Sequence, residues 1–374
     1  MRFAIITHVI HGKVSDDYFG YEPYVREMNL WIKNVSEVII LAPIKDTPKS
    51  PIQDFYQHKK IVFNSVPSIE FTTLPKAVVS VLRIPKIVWK IYQTMKSSDH
   101  IHLRCPGNIG LLGCLVQIFF PSKPKTAKYA GNWDPKSKQP ITYRLQKWIL
   151  NNSFLTKNIH VLVYGEWENT SKNIKSFFTA SYFEKDKIAV NPKTLNSKIS
   201  FLFVGSLSNG KQPLYAVKLM EMLNNKGYHV ALTLFGEGNE RSVLEDYIAQ
   251  HNLASFIFLK GNQDQETIKK AYLTNHFVVL PSLSEGWPKV VAEGMFWGCL
   301  PIATKVSCVP TMLDKGNRGV LLSLNLTEDC KAIETLIMNQ ELYQDKVHNA
   351  ILWSRQFTMD AFENEIKLLV QSCE

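Results

Sequence analysis

Short apolar runs alternate with longer helical patterns along almost the whole chain, and this alternation constrains the fold more than any other feature. In the first half the runs Phe3–His8, Val38–Ala42, Ile61–Val66, Ile101–Arg104, Thr126–Ala130 and Ile159–Tyr164 read as strands. Helical patterns lie between several of them, at Lys76–Met95, Ile109–Phe120 and Ile141–Asn151. In the second half Phe201–Val204, Val230–Phe235, Phe256–Leu259, Phe277–Leu280, Leu300–Ala303 and Val320–Leu322 read as strands, with helices at Pro213–Asn224, Glu240–Gln250, Gln265–Leu273 and Pro288–Phe296. Strands that are apolar throughout, rather than at every second residue, belong to parallel sheets covered on both faces. The 374 residues are enough for two such α/β domains. Asn191-Pro192-Lys193 and the polar stretch before Phe201 break the pattern. The expected division is therefore 1–194, 195–355 and a C-terminal helix within 356–374 able to pack back on the first domain. Two domains of this kind would leave a deep cleft between them for ligands.

Composition is that of an ordinary globular protein, 45% apolar and 20% charged. The net charge of +10 is lopsided: residues 1–200 carry 28 Lys and Arg against 14 Asp and Glu, and 76–148 hold 13 basic residues against Asp99 and Asp134 alone. Such a field attracts phosphates or anionic headgroups, although a solvated lysine-rich surface gives the same count. The six cysteines (105, 114, 299, 308, 330 and 373) contain no C-x-x-C pair and several lie in apolar runs, which suits free thiols in a reducing compartment. No metal is expected, because no His or Cys cluster has ligand spacing. The opening apolar run is broken by Thr7 and His8 and reads as a buried strand rather than a leader; Ile109–Phe120 is too short to span a membrane and reads as a core or interfacial helix. A cytoplasmic protein, able to rest on the inner face of the membrane, is the expectation.

The richest segment runs from Pro281 to Met295, PSLSEGWPKVVAEGM. A buried strand feeds a polar loop, and Pro288 suits the first position of the helix that follows. Free N–H groups at that helix start, with the helix dipole and Lys289, favour a phosphate. Glu285 on the loop and Glu293 about a turn and a half into the helix would then recognise hydroxyls, since a carboxylate aimed at the phosphate would repel it. Gly205-Ser206, Gly236-Glu237-Gly238 and Gly261-Asn262 mark other strand ends, where ligands bind in open parallel sheets.

This segment resembles the donor-site signature of family 4 glycosyltransferases, P-S-x-x-E-G-x-P-x-V-x-x-E-G-M. The likeness extends over roughly residues 198–325, through Val204-Gly205-Ser206-Leu207, Gly236-Glu237-Gly238, Phe258-Leu259-Lys260-Gly261 and Gly298-Cys299-Leu300-Pro301-Ile302-Ala303-Thr304. It implies a GT-B fold of two Rossmann-like domains, a nucleotide-sugar donor in the second and an acceptor in the first. It also implies transfer with retention and no metal or cofactor. By resemblance Glu293 binds the donor ribose, Glu285 contacts the donor sugar, and the backbone of Gly286, Trp287, Pro288, Lys289 and Val290 holds the diphosphate. Lys211 falls at the family's lysine position, so Glu285 and Lys211 are the expected catalytic pair. The family's arginine is replaced by Ser206, which removes a forked donor.

The first half resembles the family weakly. Where a histidine is common after the strand at Thr126–Ala130, this chain has Gly131-Asn132-Trp133-Asp134. Asn132 can bond a sugar hydroxyl but cannot act as a base. His11 and Gly12 follow the first strand; His102 and Arg104 lie on or beside another. All five are acceptor-side candidates, although His102, as a lone histidine, is more often structural. The expected reaction moves a hexose from UDP or GDP to a glycan or lipid-linked acceptor in surface polysaccharide synthesis, with contact to an anionic membrane and none to nucleic acid. A nucleotide-sugar epimerase or a silent GT-B binding protein are the alternatives.

Overall fold

The computed structural model describes every residue except 51, 71–72, 192, 196–197 and 372–374, so Pro192 at the expected boundary and Cys373 lie outside the described residues. The chain divides into two compact units, Met1–Phe177 with the stretch from Glu363 onward, and Phe178–Phe362.

The first unit holds β1 (Arg2–Ile6), β2 (Gly12–Val14), β3 (Asp17–Tyr21), α1 (Glu22–Trp31), β4 (Glu37–Ala42), β5 (Gln53–Phe55), β6 (Ile61–Ser65), α2 (Leu74–Ser97), β7 (His100–Cys105), α3 (Asn108–Val116), β8 (Lys125–Tyr129), α4 (Ile141–Leu150), β9 (Ile159–Tyr164) and β10 (Ile174–Phe177). Seven of these strands form one parallel sheet in the order β10-β9-β8-β7-β1-β4-β6. The order reverses between β1 and β7. Much of its interior is apolar, with Val38, Ile40, Leu41, Ile101 and Leu103 wholly buried, as expected of strands sandwiched between helix layers, but β7 and β8 also bury His100, His102, Lys125 and Lys128. On one side α3 lies between α2 and α4. Ile109–Phe120, expected as one helix, is α3 followed by a 3₁₀ turn at Gln117–Phe119. A small antiparallel sheet, β2-β3-β5, was not foreseen.

The second unit holds β11 (Ile199–Val204), α5 (Pro213–Asn225), β12 (Val230–Phe235), α6 (Arg241–Gln250), β13 (Ile257–Leu259), α7 (Gln265–Thr274), β14 (Phe277–Leu280), α8 (Lys289–Phe296), β15 (Leu300–Thr304), α9 (Val309–Met312), β16 (Val320–Leu322), α10 (Leu326–Ile337), α11 (Gln340–Ser354) and the start of α12 (Met359–Gln371). Its six parallel strands run β13-β12-β11-β14-β15-β16. Counted within the unit this is 3-2-1-4-5-6, the doubly wound order of dinucleotide-binding folds.

Residues 178–194 therefore lie with the second unit, not the first as the sequence reading had it. Aromatic burial explains the difference: Tyr182 packs on Phe296 and Trp297, with ring centroids 5.1 and 5.0 Å away. The residues of α12 from Glu363 onward belong to the first unit, where Glu363 pairs with Lys33 at 2.8 Å.

Candidate functional site

In the 3-2-1-4-5-6 order the chain leaves β11 toward one edge and returns at β14 toward the other. The loops after these two adjacent strands diverge, and a crevice opens at their carboxyl ends. The loop after β11 carries Gly205, Ser206 and Lys211; the loop after β14 carries Glu285 through Pro288. Two bonds join them. The Leu283 N–H donates to the Gly210 carbonyl at 2.9 Å, and Lys211 Nζ pairs with Glu285 Oε1 at 2.5 Å. The Glu285 side chain is 8% exposed and that of Lys211 31%, so the charge pair sits at the lip of the crevice with its cation toward water.

Backbone packing fixes the neighbouring loop. Gly236 has φ 144°, and a Cβ there would lie 1.8 Å from the Gly205 carbonyl oxygen. A Cβ on Gly238 would lie 2.2 Å from the Leu207 carbonyl oxygen. The loops after β11 and β12 thus stack backbone on backbone, held by Gly205 N–H to Phe235 O at 2.9 Å and Leu207 N–H to Glu237 O at 3.0 Å. The Glu237 side chain turns away to Arg241 on α6. Ser206 Oγ meets Ser208 Oγ at 3.2 Å.

Helix α8 starts one residue later than expected. Pro288 is the N-cap, with φ −74° and ψ 92°, and the helix begins at Lys289. The N–H groups of Val291 and Ala292 turn to Pro288 O at 3.0 and 3.4 Å. That of Val290 precedes any intrahelical acceptor. The loop ahead is held from below. Ser307 Oγ and Cys308 Sγ donate to Gly286 O at 3.2 and 3.1 Å, and Thr304 Oγ1 donates to Ser282 O at 2.5 Å. Burial raises the Cys308 thiol to about 12, so it stays a neutral donor. The Trp287 ring stacks on Trp353 at 6.1 Å and meets Phe357 edge-on at 5.5 Å, an anchor for the loop.

Glu293 lies on α8 with both oxygens engaged: Oε1 accepts from Ser181 Oγ at 2.5 Å and Oε2 from Tyr272 OH at 3.2 Å. Burial, then the Glu293 charge, holds the Tyr272 phenol well above its ordinary range, so it remains a donor. A carboxylate offers about four lone-pair sites, which leaves room for further hydroxyls. Ser181 and Tyr272 were not singled out in the sequence; Ser181 is 112 positions from Glu293, and no spacing rule joins them.

The first-unit candidates do not converge. His11 is buried: its Nδ1–H donates to Val9 O at 2.8 Å, and Nε2 accepts from Tyr56 OH at 2.9 Å. Burial lowers its pKa to about 4. Gly12 leaves room for the Phe19 ring, which a Cβ would meet at 2.1 Å. His102 is withdrawn from the candidate site: it is wholly buried in mid-strand, 4.5 Å from the Trp31 ring, with Nδ1 2.9 Å from Thr126 Oγ1. Arg104 pairs with Glu27 at 3.3 Å and lies over the Tyr24 ring. Asn132 is also buried, and its Oδ1 accepts the Asp134 N–H at 2.9 Å, closing its own turn. The exposed imidazole at this sheet's reversal point is His8, beside Gly107 where a Cβ would lie 2.4 Å from His8 Nδ1. The sequence reading had treated His8 only as the end of a strand. Among the described residues no three His, Cys, Asp or Glu side chains group as metal ligands.

Residues 184–353 match the family described as Glycosyl transferases group 1. An uncharacterized glycosyltransferase of Methanocaldococcus jannaschii is 31% identical over 128 residues, 34% of this chain and 36% of its own length. The alignment thus spans little more than a third of that relative. Protein CapJ of Staphylococcus aureus is 20% identical over 78% of this chain and 75% of its own. Among solved structures, sucrose-phosphate synthase from Thermosynechococcus elongatus superposes with TM-score 0.71 at 17% identity, covering 100% of this chain and 98% of its own. Anabaena HepE in complex with UDP and glucose gives 0.70 at 14%, covering 100% of both chains. The fold is that of GT-B glycosyltransferases, two Rossmann-like α/β domains, and the match to the group 1 glycosyl transferase family lies within the second unit.

Proposed function

We propose that the chain is a glycosyltransferase that moves a hexose, with retention of configuration, from a nucleoside diphosphate to a glycan or lipid-linked acceptor in surface polysaccharide synthesis. The observation that carries this is the union of the β11 and β14 loops at the reversal of strand order, with Lys211 and Glu285 in contact beside the start of α8. A diphosphate set against the start of α8 at Val290 would draw on the helix dipole and on the Lys211 ammonium. Glu293, already oriented by Ser181 and Tyr272, would accept ribose hydroxyls, and Glu285 would orient the sugar. The acceptor oxygen attacks the anomeric carbon, the bond from that carbon to the diphosphate oxygen breaks, and the leaving diphosphate takes the acceptor's proton on the same face. Developing negative charge on the diphosphate is where Lys211 and the helix start are most useful.

Of the two bases considered, uracil has the added support that HepE is solved with UDP. Free buried cysteines at 105, 114, 299, 308 and 330 suit a cytoplasmic setting. A thermal-shift series with UDP, GDP, ADP and their sugars tests the donor. A rise in melting temperature with UDP or GDP compounds is expected, since a ligand of the native state alone stabilises it. No response to any of them would refute the reading. Incubation with donor alone, without an isomerised sugar appearing, separates transfer from epimerisation.

A further inference from the structure

Helix α2 has two apolar faces. At about 100° per residue, Ile84, Ile87, Ile91 and Met95 share one arc, and this arc packs into the first unit's core. Leu74, Val78, Val81, Leu82 and Trp89 share a second, roughly 130° away around the axis. That second arc faces solvent: Leu74 is 84% exposed, Leu82 76% and Trp89 62%. Ordinary surface helices have a single apolar stripe, so the outer one needs a partner.

Charge narrows the choice. Residues 71–98 contain five basic residues and no acidic one. Lys76 pairs with Glu70, and Lys90 donates to the Ser65 carbonyl. Among the described residues Arg83, Lys86 and Lys96 enter no ion pair. The outer surface of the same helix layer continues the pattern on α4, where Ile141, Leu145 and Trp148 recur at i, i+4 and i+7 and are exposed, beside Arg144. A second copy laid on this face would oppose cation to cation. A layer of anionic headgroups over acyl chains complements both features at once.

We propose that α2 is a lipid-docking helix, lying in the interface of an anionic bilayer with Leu82 and Trp89 below the headgroups and Arg83, Lys86 and Lys96 among the phosphates. No helix among the described residues is long and apolar enough to cross a membrane, so attachment is from one side. The surface belongs to the first unit and stands whether or not the second unit transfers a sugar.

The test is co-sedimentation of the full chain with vesicles of phosphatidylcholine alone or with 30% phosphatidylglycerol. Binding to the anionic vesicles only is expected, falling at high salt, with a blue shift in tryptophan emission that Trp89→Phe removes. Each cation near the surface is worth about fivefold in binding, so Arg83→Glu/Lys86→Glu/Lys96→Glu should weaken it at least about a hundredfold. Leu82→Ser/Trp89→Ser should weaken it at least tenfold. A cooperative melting transition close to that of wild type shows that these variants are folded. Equal pelleting with neutral vesicles, or unchanged pelleting by either variant, would overturn the proposal. So would sedimentation velocity showing a dimer that Leu82→Ser/Trp89→Ser dissociates, because the face would then be covered by a second copy.

Discussion

Lys211 and Glu285 form a pair whose removal has two separable consequences. Deleting the ammonium leaves a nearly buried carboxylate without its counter-charge, whereas deleting both leaves only a small cavity at the crevice lip. Lys211→Ala should therefore lower stability by about 1–3 kcal/mol, less than for a fully buried pair because the lysine is partly exposed. Lys211→Ala/Glu285→Ala should recover part of that loss, and urea denaturation of the four members of the cycle measures it. Activity should not recover: either single change and the double change should each cut turnover by about a hundredfold or more. A double variant as active as wild type would remove the pair from the reaction. At this scale the sequence was uneven as a guide. The Glu285–Glu293 segment was legible because a helix start after a buried strand has a local signature. The hydroxyls that orient Glu293 were not, because Ser181 and Tyr272 come to it only through the tertiary fold. His11 and His102 stayed open as candidates because an isolated histidine carries no mark that separates a ligand-binding ring from one bonded within the core, as both are here.

Among the elements, the thirteen strands of the two parallel sheets were almost all legible to within a residue or two, β10 excepted, because burial on both faces makes most of them continuous apolar runs. The β2-β3-β5 sheet was not. Its strands are three to five residues long and mix Gly, Lys, Asp and Gln with apolar residues, too short for a period to emerge. β10 was missed for the same reason, as an edge strand of four residues with two exposed. Loop stacking was readable as glycine but not as geometry. Gly236 combines positive φ with a carbonyl oxygen 1.8 Å from where a side chain would begin. Gly236→Ala should destabilise the protein by on the order of 3 kcal/mol, from strain and overpacking together. It should also abolish the nucleotide-induced melting shift, since the β11 loop must move to admit the methyl group. A variant with wild-type stability and a full shift would show that the loops do not support one another.

Across the whole molecule, the first unit buries three histidines as neutral rings. Burial lowers His11 to about 4, and burial with the nearby His160 and Lys125 lowers His100 to about 3. His102 is held well below its ordinary value by burial, then by His100 and Arg104. Because each folded pKa lies below the unfolded value of about 6.5, the unfolded chain binds more protons in the interval. Stability from these rings is complete above about pH 6.5 and is lost as pH falls toward 4, by up to about 1.4 kcal/mol per pH unit for each. Melting temperature should thus drop steeply between pH 6.5 and 4.5, and more gently in His11→Gln, whose amide can keep both bonds. A flat profile would refute this. The basic charge concentrated in residues 1–200 acts in the same direction, since protonating carboxylates exposes it further.

The near-parallel indoles of Trp287 and Trp353, 25° apart in plane, have a spectroscopic corollary. Chromophores this close share excitation, so their transitions should split into a circular dichroism couplet. One indole is rooted in α11, while the other rides the segment against which a diphosphate would rest. Any ligand that shifts that segment would alter the couplet's amplitude, making the protein its own unlabelled optical gauge of occupancy.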